Sequence, residues 1–574
     1  MKRLSPRARR ALLVAGIAVG AYLVFCGVWL AMARREARTG SDQLAEFRED
    51  PDPQDLLDGS ALPVIRSAQR DFASARDRAR SPLLLPLRMV PLVGRQVDSF
   101  AAISDAAARV TAVGVEGAEE ARRVLGGDIP AGEGRITTLR RLADIAEQTS
   151  AQVATIPLGP DQDLVGPVAR ARREFADQKD EIELALLYTR DAADSLADVL
   201  DGPSSYLVMA GNNAEMRAGS GMFLSVGRVD FDGGRLQLSD FQSSGDLHLA
   251  EGVAYRDRDM EALWGFAHPN REWRNLALSP RFPANAEMAT RMWREAEGVR
   301  VDGVLALDVV GLRAFLEATG PVHVGDLTVD AENVQQLLLH DQYYGDPDQA
   351  ARRDQLAEIA RAVLEAFDSS APDLPALAQA LRVAVEGRHL MLWSEDDTEQ
   401  RAWEQAGVSG AVGDHDVLVG LMNRGGNKLD QYQAIEGRVR ARPVAEGTLV
   451  TVRLTVTNEV PDGEPDYIAG EEEYGRYDGF FALTMPGDST LVDSSQPEAV
   501  AAGPDGDSRV LAIPLVLSQG DTVEWTVSFL VPPDVEAITV GPSARVPKLE
   551  WWGPDGLRWN DLDTPRQSVP LTTP

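Results

Sequence analysis

Between Leu164 and Ala210 the apolar residues change their period, and that change limits what can be built on either side of it. Val168, Phe175, Ile182, Thr189 and Leu196 fall seven apart, with Leu164, Ala171, Leu186, Ala193 and Leu200 filling much of a second seam. Such spacing places side chains along one helix face and predicts a bundle or short coiled coil. Tyr206–Ala210 (YLVMA) is then a continuous apolar run, which reads as a buried strand. Further on, Val450, Val452, Leu454 and Val456 alternate with Thr451, Arg453, Thr455 and Thr457, and Val523–Val531 repeats the pattern, as in strands with one face buried. The chain is therefore expected to be helical over 40–200, an α/β head over 204–435, an all-β sandwich over 436–550 and a tail over 551–574.

Ahead of the helical region, residues 11–33 (ALLVAGIAVGAYLVFCGVWLAMA) carry no charge. A run of that length predicts a transmembrane helix, and the basic residues of the 1–10 tail, Lys2, Arg3, Arg7, Arg9 and Arg10, predict a cytoplasmic N-terminus. The expected localisation is a single-pass cell-membrane protein with its bulk extracytoplasmic and the lipid bilayer as one partner. Pro82, Pro86 and Pro91 interrupt a leucine-rich stretch and predict an apolar elbow between helices. The seven-residue seam offers a route to a homo-oligomer.

Charge and cysteine count exclude several function classes. With 89 acidic against 57 basic residues the formal net charge is -32, so nucleic acid is not an expected partner. The one cysteine, Cys26, leaves the rest of the chain without disulfides, thiolate nucleophiles or Cys-bound zinc. Six histidines occur without an HxxxH or HxH pair, which weakens a zinc-hydrolase reading.

The site candidates cluster in three places. Gly211–Gly221 interrupts two strands with Asn212, Asn213, Glu215 and Arg217, where free backbone amides and polar side chains can converge. The alternative there has the asparagines capping turns and Arg217 pairing with Glu215 on the surface. Asp240 and Asp246 flank FQSSG, a second polar loop expected on the same edge as Arg217. NRGGNKLDQY supplies Asn423, Asn427 and Lys428 in a turn that would either accept an anion through its backbone amides or be merely a tight turn, without Walker spacing. The acidic segment Asp462–Glu473 has no EF-hand register and reads as a solvated loop.

Laid out in order, LLLPLRMVPLVGRQ, NNAEMRAGSG, VDGVLALDVVGLRAFLEATGPV, GRHLMLWSEDDTEQ and NRGGNKLDQY resemble the bacterial envelope family called domain of unknown function 4012, over nearly everything past the apolar run. That resemblance implies an association with surface polysaccharides. The head is also similar, more distantly, to the LytR-CpsA-Psr phosphotransferases, which move a glycopolymer from a polyprenyl-pyrophosphate carrier. This second resemblance implies a mixed sheet with helices, acidic residues that hold Mg²⁺, and arginines that grip the pyrophosphate. It points to Arg217, Asp240, Asp246 and, in DQAARRDQ, Arg352 or Arg353 as the catalytic set. Asn212 or Asn213 stands where the first-loop aspartate is expected, no acid follows Arg217, and Asp240 has no arginine beside it. The expected function is accordingly the binding and placing of an envelope glycopolymer or its lipid-linked precursor without strong catalysis. An active phosphotransferase, with Mg²⁺ as its cofactor, is the alternative, and a structural membrane-to-wall linker is the third reading.

Overall fold

The structure, a computed structural model, describes residues 6–49, 55, 59–127, 129–345, 349–369 and 374–571; at 6–21, 46–49, 345, 349–357 and 374–375 it describes the backbone alone. Two compact units form, Met1–Asp128 with Thr138–Asp194, and Ile129–Thr137 with Ser195–Pro574.

The first unit is helical. Helices α1 (Pro6–Glu49), α2 (Leu62–Ala79) and α3 (Pro91–Leu125) pack on one another, followed by α4 (Glu133–Ala154) and α5 (Gly166–Asp201). Prolines at the first turns of α2 and α3 suit positions whose N–H groups have no intrahelical acceptor. The elbow becomes two short helical turns, Pro82–Leu84 and Leu85–Arg88. Of its leucines, Leu84 is fully buried whereas Leu83, Leu85 and Leu92 remain exposed. Phe175 of the seven-residue seam packs near Ala107, Val110 and Val153, while Ile182 and Leu196 stay 41% and 37% exposed.

The expected membrane span over 11–33, and with it the single-pass membrane localisation and the membrane-anchored fold class, is overturned. Among the described residues no helix is long and apolar enough to cross a membrane. The uncharged run is part of one 44-residue helix that continues through Arg34, Arg35, Glu36 and Arg38. One face of its described portion packs within the chain: Cys26 and Ala33 are buried, and Tyr22, Trp29 and Leu30 lie against a cluster of Ala79, Leu84, Val97 and Ala101, while Leu23, Val24, Phe25, Val28 and Met32 stay exposed. Trp29 Nε1 donates to the Arg78 carbonyl at 3.1 Å, the Arg78 guanidinium lies 5.0 Å from the Trp29 ring, and Arg78 Nε donates to Glu36 at 2.8 Å. Lys2 and Arg3 of the basic tail lie outside the described residues.

The second unit opens with a mixed sheet built from β1 (Ser204–Met216), β2 (Gly221–Asp232), β3 (Arg235–Leu238), β4 (Gln242–Ser243), β5 (Gly303–Leu307) and, after the hairpin β6 (Val322–Val324) and β7 (Leu327–Val329), β8 (Leu390–Ser394). The strand order is β3-β2-β1-β5-β8, with β4 on β2; only β1 and β5 pair in parallel. The unbroken apolar run in β1 follows from burial on both faces. Leu207 and Met209 enter a core with α6 (Arg258–Trp264), α7 (Phe282–Glu297) and Trp273. Tyr206 and Val208 enter the opposite core with α8 (Val309–Thr319), α9 (Gln349–Ser369), α10 (Leu374–Glu386) and Trp403 of α11 (Asp397–Gln405). The tryptophans Trp264, Trp273 and Trp293 are core residues.

Two six-stranded sheets complete the unit. Its strands are β9 (Asp416–Asn423), β10 (Gln433–Val444), β11 (Gly447–Asn458), β12 (Tyr477–Pro486), β13 (Thr490–Ser494), β14 (Ala501–Asp505), β15 (Ser508–Leu517), β16 (Thr522–Val531), β17 (Ala537–Val540), β18 (Leu549–Trp552), β19 (Arg558–Asn560) and β20 (Gln567–Pro570). One sheet runs β13-β16-β11-β10-β18-β19 and the other β14-β15-β12-β9-β17-β20. Val450, Val452, Leu454 and Val456 point into the shared core with Trp525, Val527 and Phe529, and the alternating threonines point out.

The contrast within the elbow is measurable. Leu84→Ala should destabilise the first unit by about 2–5 kcal/mol, the range for a buried leucine, and Leu83→Ala by about 0.5 kcal/mol or less. Urea denaturation of the two variants checks this; equal effects would contradict the packing described.

Candidate functional site

Strand β1 runs on through Asn212–Met216 instead of breaking at Gly211, so only Arg217–Ser220 forms the turn into β2. What keeps this polar stretch extended is hydrogen bonding to side chains: Ala214 N donates to Asn212 Oδ1 at 3.0 Å, and Met216 N to Asp430 Oδ2 at 3.1 Å. Asp430, fully buried, also accepts from Asn423 Nδ2 at 2.8 Å and Tyr477 Oη at 3.0 Å. Burial pushes its carboxyl above the ordinary range, although these donors oppose the shift. Gly420 lets β9 approach the turn, since a Cβ there would lie 2.7 Å from Ala218.

These contacts leave a cleft of about 470 Å³, lined by Asn212, Glu215 and Arg217 from β1 and its turn, Ser243–Gly245 from the second polar loop, Glu272–Asn275 with Trp273 excepted, Gln342 and Tyr343, Asn423, Arg424, Gly426, Lys428 and Tyr467. Sequence segments up to about 250 residues apart thus meet in one place. A smaller cavity of about 210 Å³ shares Arg217, Asn275, Asn423 and Arg424 with it and adds Phe266, Leu278, Met422 and Phe480.

The charges of the cleft are unequally matched. Lys428 Nζ lies 2.5 Å from Glu215 Oε2, both side chains buried. It also sits 5.0 Å from the Tyr467 ring centroid and 5.8 Å from that of Tyr343. Burial alone would lower the lysine pKa, but Glu215 and the two tyrosines outweigh it and hold the ammonium above its ordinary value. Arg274 grips Glu272 through Nε and Nη2, each at 2.8 Å. Among the described residues the remaining two cations form no ion pair. Arg424 lies 4.8 Å from the Phe480 ring. Arg217, 6% exposed, donates from Nη1 to the carbonyls of Met216 (2.9 Å) and Asn423 (2.8 Å) and from Nη2 to Asn275 Oδ1 (3.2 Å), while its Nε has no hydrogen-bond partner among the described residues. Burial lowers the Arg217 pKa, with Glu215 and Asp430 offsetting part of the effect.

Tyr343 completes the wall: Asn212 Nδ2 donates to its Oη at 3.2 Å, and the Tyr343 and Tyr467 rings stand 5.5 Å apart. The acidic segment carrying Tyr467 is fastened rather than merely solvated, because Glu464 accepts from Tyr344 Oη at 2.7 Å and Tyr432 Oη at 2.8 Å.

The expected residues separate into two groups. Asn212, Glu215, Arg217, Asn423 and Lys428 converge on the cleft, and Asn427 supports it by accepting from Asn423 Nδ2 at 3.0 Å and donating to the Arg476 carbonyl at 2.9 Å. Arg217 and Glu215 are buried and not paired with each other, contrary to the surface-pair alternative. Asn213 turns away, donating to Asp308 Oδ2 at 2.7 Å beside His389, whose Nδ1 is 2.6 Å from the same oxygen. Asp240 is exposed and pairs with Arg361 at 2.6 Å, and Asp246 is exposed on its loop; neither lines the cleft. Arg352 and Arg353 lie on α9, their side chains outside the described residues. Sequence reasoning missed Glu272, Arg274, Asn275, Tyr343 and Tyr467, and quoted Arg424 and Asp430 only as part of a motif. A tyrosine inside the acidic segment was the one visible sign of Tyr467.

Among the described residues no group of three or more His, Cys, Asp or Glu side chains is placed to hold a metal ion. The two carboxylates of the cleft are engaged by Lys428 and Arg274, so the donor set does not fit the Mg²⁺ that the phosphotransferase resemblance implies.

Breaking the buried pair on one side should be costly. Lys428→Met or Glu215→Leu alone is expected to lose about 3–5 kcal/mol, and the double variant less than the sum. The raised lysine pKa stabilises the fold below the unfolded value, near 10.4, and this contribution is lost as pH rises through the folded value. Wild type should therefore lose stability above about pH 10.4 more steeply than the double variant in denaturant titrations; parallel curves would refute the assignment.

No curated protein matches the chain. Residues 201–343, which hold NNAEMRAGSG and VDGVLALDVVGLRAFLEATGPV and stop short of GRHLMLWSEDDTEQ and NRGGNKLDQY, match the model of the family described as a protein of unknown function, DUF4012.

Proposed function

We propose that the cleft binds the anionic part of a saccharide ligand, an envelope glycopolymer or its phosphate-linked precursor, and holds it without carrying out the transfer itself. Arg217 carries this reading: a buried guanidinium, set at the junction of two cavities and, among the described residues, hydrogen-bonded only to neutral acceptors and with an unpartnered Nε. A buried charge that Glu215 and Asp430 offset only in part is unfavourable, and an incoming phosphate or carboxylate would relieve it. Arg424 stands on the same rim. In a chain of net charge -32, a cleft whose four cations exceed its two carboxylates is a local reversal that selects anions.

Support for a sugar comes from the neutral wall. Asn212, Asn275 and Gln342 offer amides, Ser225, Ser243 and Ser244 line the same cleft, and Tyr343 and Tyr467 offer ring faces and edges. The transferase alternative draws no support from Asp240 and Asp246, which lie away from these groups.

The test is calorimetric titration of the full chain with a sugar 1-phosphate, inorganic pyrophosphate and the unphosphorylated sugar. Saturable, salt-sensitive binding is expected for the two phosphates, weakened about tenfold, or about 1.4 kcal/mol, by Arg424→Ala. That side chain is exposed, so the variant should fold. Equal binding of the neutral sugar, or no effect of Arg424→Ala, would refute the proposal.

A further inference from the structure

The outward face of β10 carries Arg438, Arg440 and Arg442 at every second position, all exposed. Strand geometry spaces such residues roughly 6.5–7 Å apart in a straight row. Arg453 of β11 lies directly opposite Arg438, and Trp552 of β18 and Arg558 of β19 continue the same rank across the sheet. Like charges opposite one another destabilise a sheet, so the concentration is not a device of folding.

On β10, β11, β18 and β19 this face, with Lys548 at its edge, has six cations. Its carboxylates are Glu436 and Glu550, and Glu550 is taken by Lys548 at 2.7 Å. Arg453 meets Glu524 of the next strand at 3.5 Å. Arg438, Arg440, Arg442 and Arg558 have no ion pair among the described residues. Instead, the guanidinia of Arg438 and Arg558 each lie 5.1 Å from the Trp552 ring centroid, one from the strand on either side. Beneath them, Trp551 and Trp559 stack at 5.8 Å with planes 7° apart, and Gly437 makes room, since a Cβ there would meet Trp551 at 2.4 Å.

We propose that this face of the β-sandwich binds an extended acidic polysaccharide, its carboxylate or phosphate groups lying along the Arg438–Arg440–Arg442 row. Trp552 holds the two flanking guanidinia against its ring. Because both sides of that ring are occupied, it offers no platform for a nucleobase, which single-strand binders require. The apolar side chains that share this face, Leu449 and Leu530, lie level with Arg442 at one end of the row and not at its centre, unlike the core of a stable protein interface. Hydroxyls of Thr451, Thr455 and Ser528 lie on neighbouring strands of the same face, suited to sugar hydroxyls. At 0.15 M salt the screening length is about 8 Å, so a polymer on the row feels these cations more than the distant carboxylates of the chain. The inference stands on the sandwich alone and does not depend on the cleft.

Full-length protein would be titrated with polygalacturonate, neutral dextran and a single-stranded oligonucleotide, with R440Q/R442Q and Trp552→Leu as variants. The expected result is salt-dependent binding of polygalacturonate, reduced at least tenfold in R440Q/R442Q with sugar-phosphate binding at the cleft unchanged, and reduced in Trp552→Leu. Binding that is equal for dextran, tighter for the oligonucleotide or unaltered in R440Q/R442Q would overturn it. So would self-association of the wild type that the double variant abolishes, which would assign the face to a second copy.

Discussion

The buried carboxylate of Asp430 is the contact on which the half of the molecule that holds the cleft depends. Three donors meet it: a backbone amide at the end of β1, an amide from the end of β9 and the hydroxyl of Tyr477 on β12. Its own carbonyl accepts from Arg545 at 3.0 Å. A carboxyl without access to water is tolerated only when its lone pairs are used, so each of these segments is tied to the positions of the others. Arg217 inherits its place from this arrangement, because it bonds to the carbonyls on either side of the node. The cleft is thus a by-product of how α/β head and β-sandwich are joined within one unit.

Much of the architecture was legible because burial imposes a period. The alternation of Val450–Thr457 is the in-and-out alternation of β11, and the continuous run Tyr206–Ala210 is a strand covered on both faces. Period alone failed at residues 11–33, where an uncharged run is compatible with lipid or with protein as its surroundings. One face of the described part of α1 takes the second course: Cys26, Trp29 and Leu30 find partners on α3 and the elbow, and the helix extends well into charged sequence.

The candidate site was legible where polar residues interrupt apolar strands, as in NNAEMR and NRGGNK, since a polar cluster at a strand end has few structural explanations. It was not legible where the contributing residue looks ordinary locally. Tyr343 sits in a helical turn and Arg274 beside an unremarkable glutamate; only the path of the chain brings them to Arg217. Asp240 and Asp246 failed for the opposite reason. Their loop does reach the cleft through Ser243–Gly245, but the flanking aspartates point to solvent, where a carboxylate keeps its hydration.

The way the cleft is divided along the chain bears on inheritance. The segment matching DUF4012 ends at residue 343, whereas Asn423, Arg424, Lys428 and Tyr467 lie beyond it. A relative sharing only that segment would possess one bank of a two-banked cleft: Glu215, Arg217, Glu272, Arg274 and Tyr343 without Lys428, Arg424 or Tyr467. Kinship in the matched segment and kinship in ligand are therefore separable traits, and the second is traced by following NRGGNK and the tyrosine of the acidic segment through other sequences.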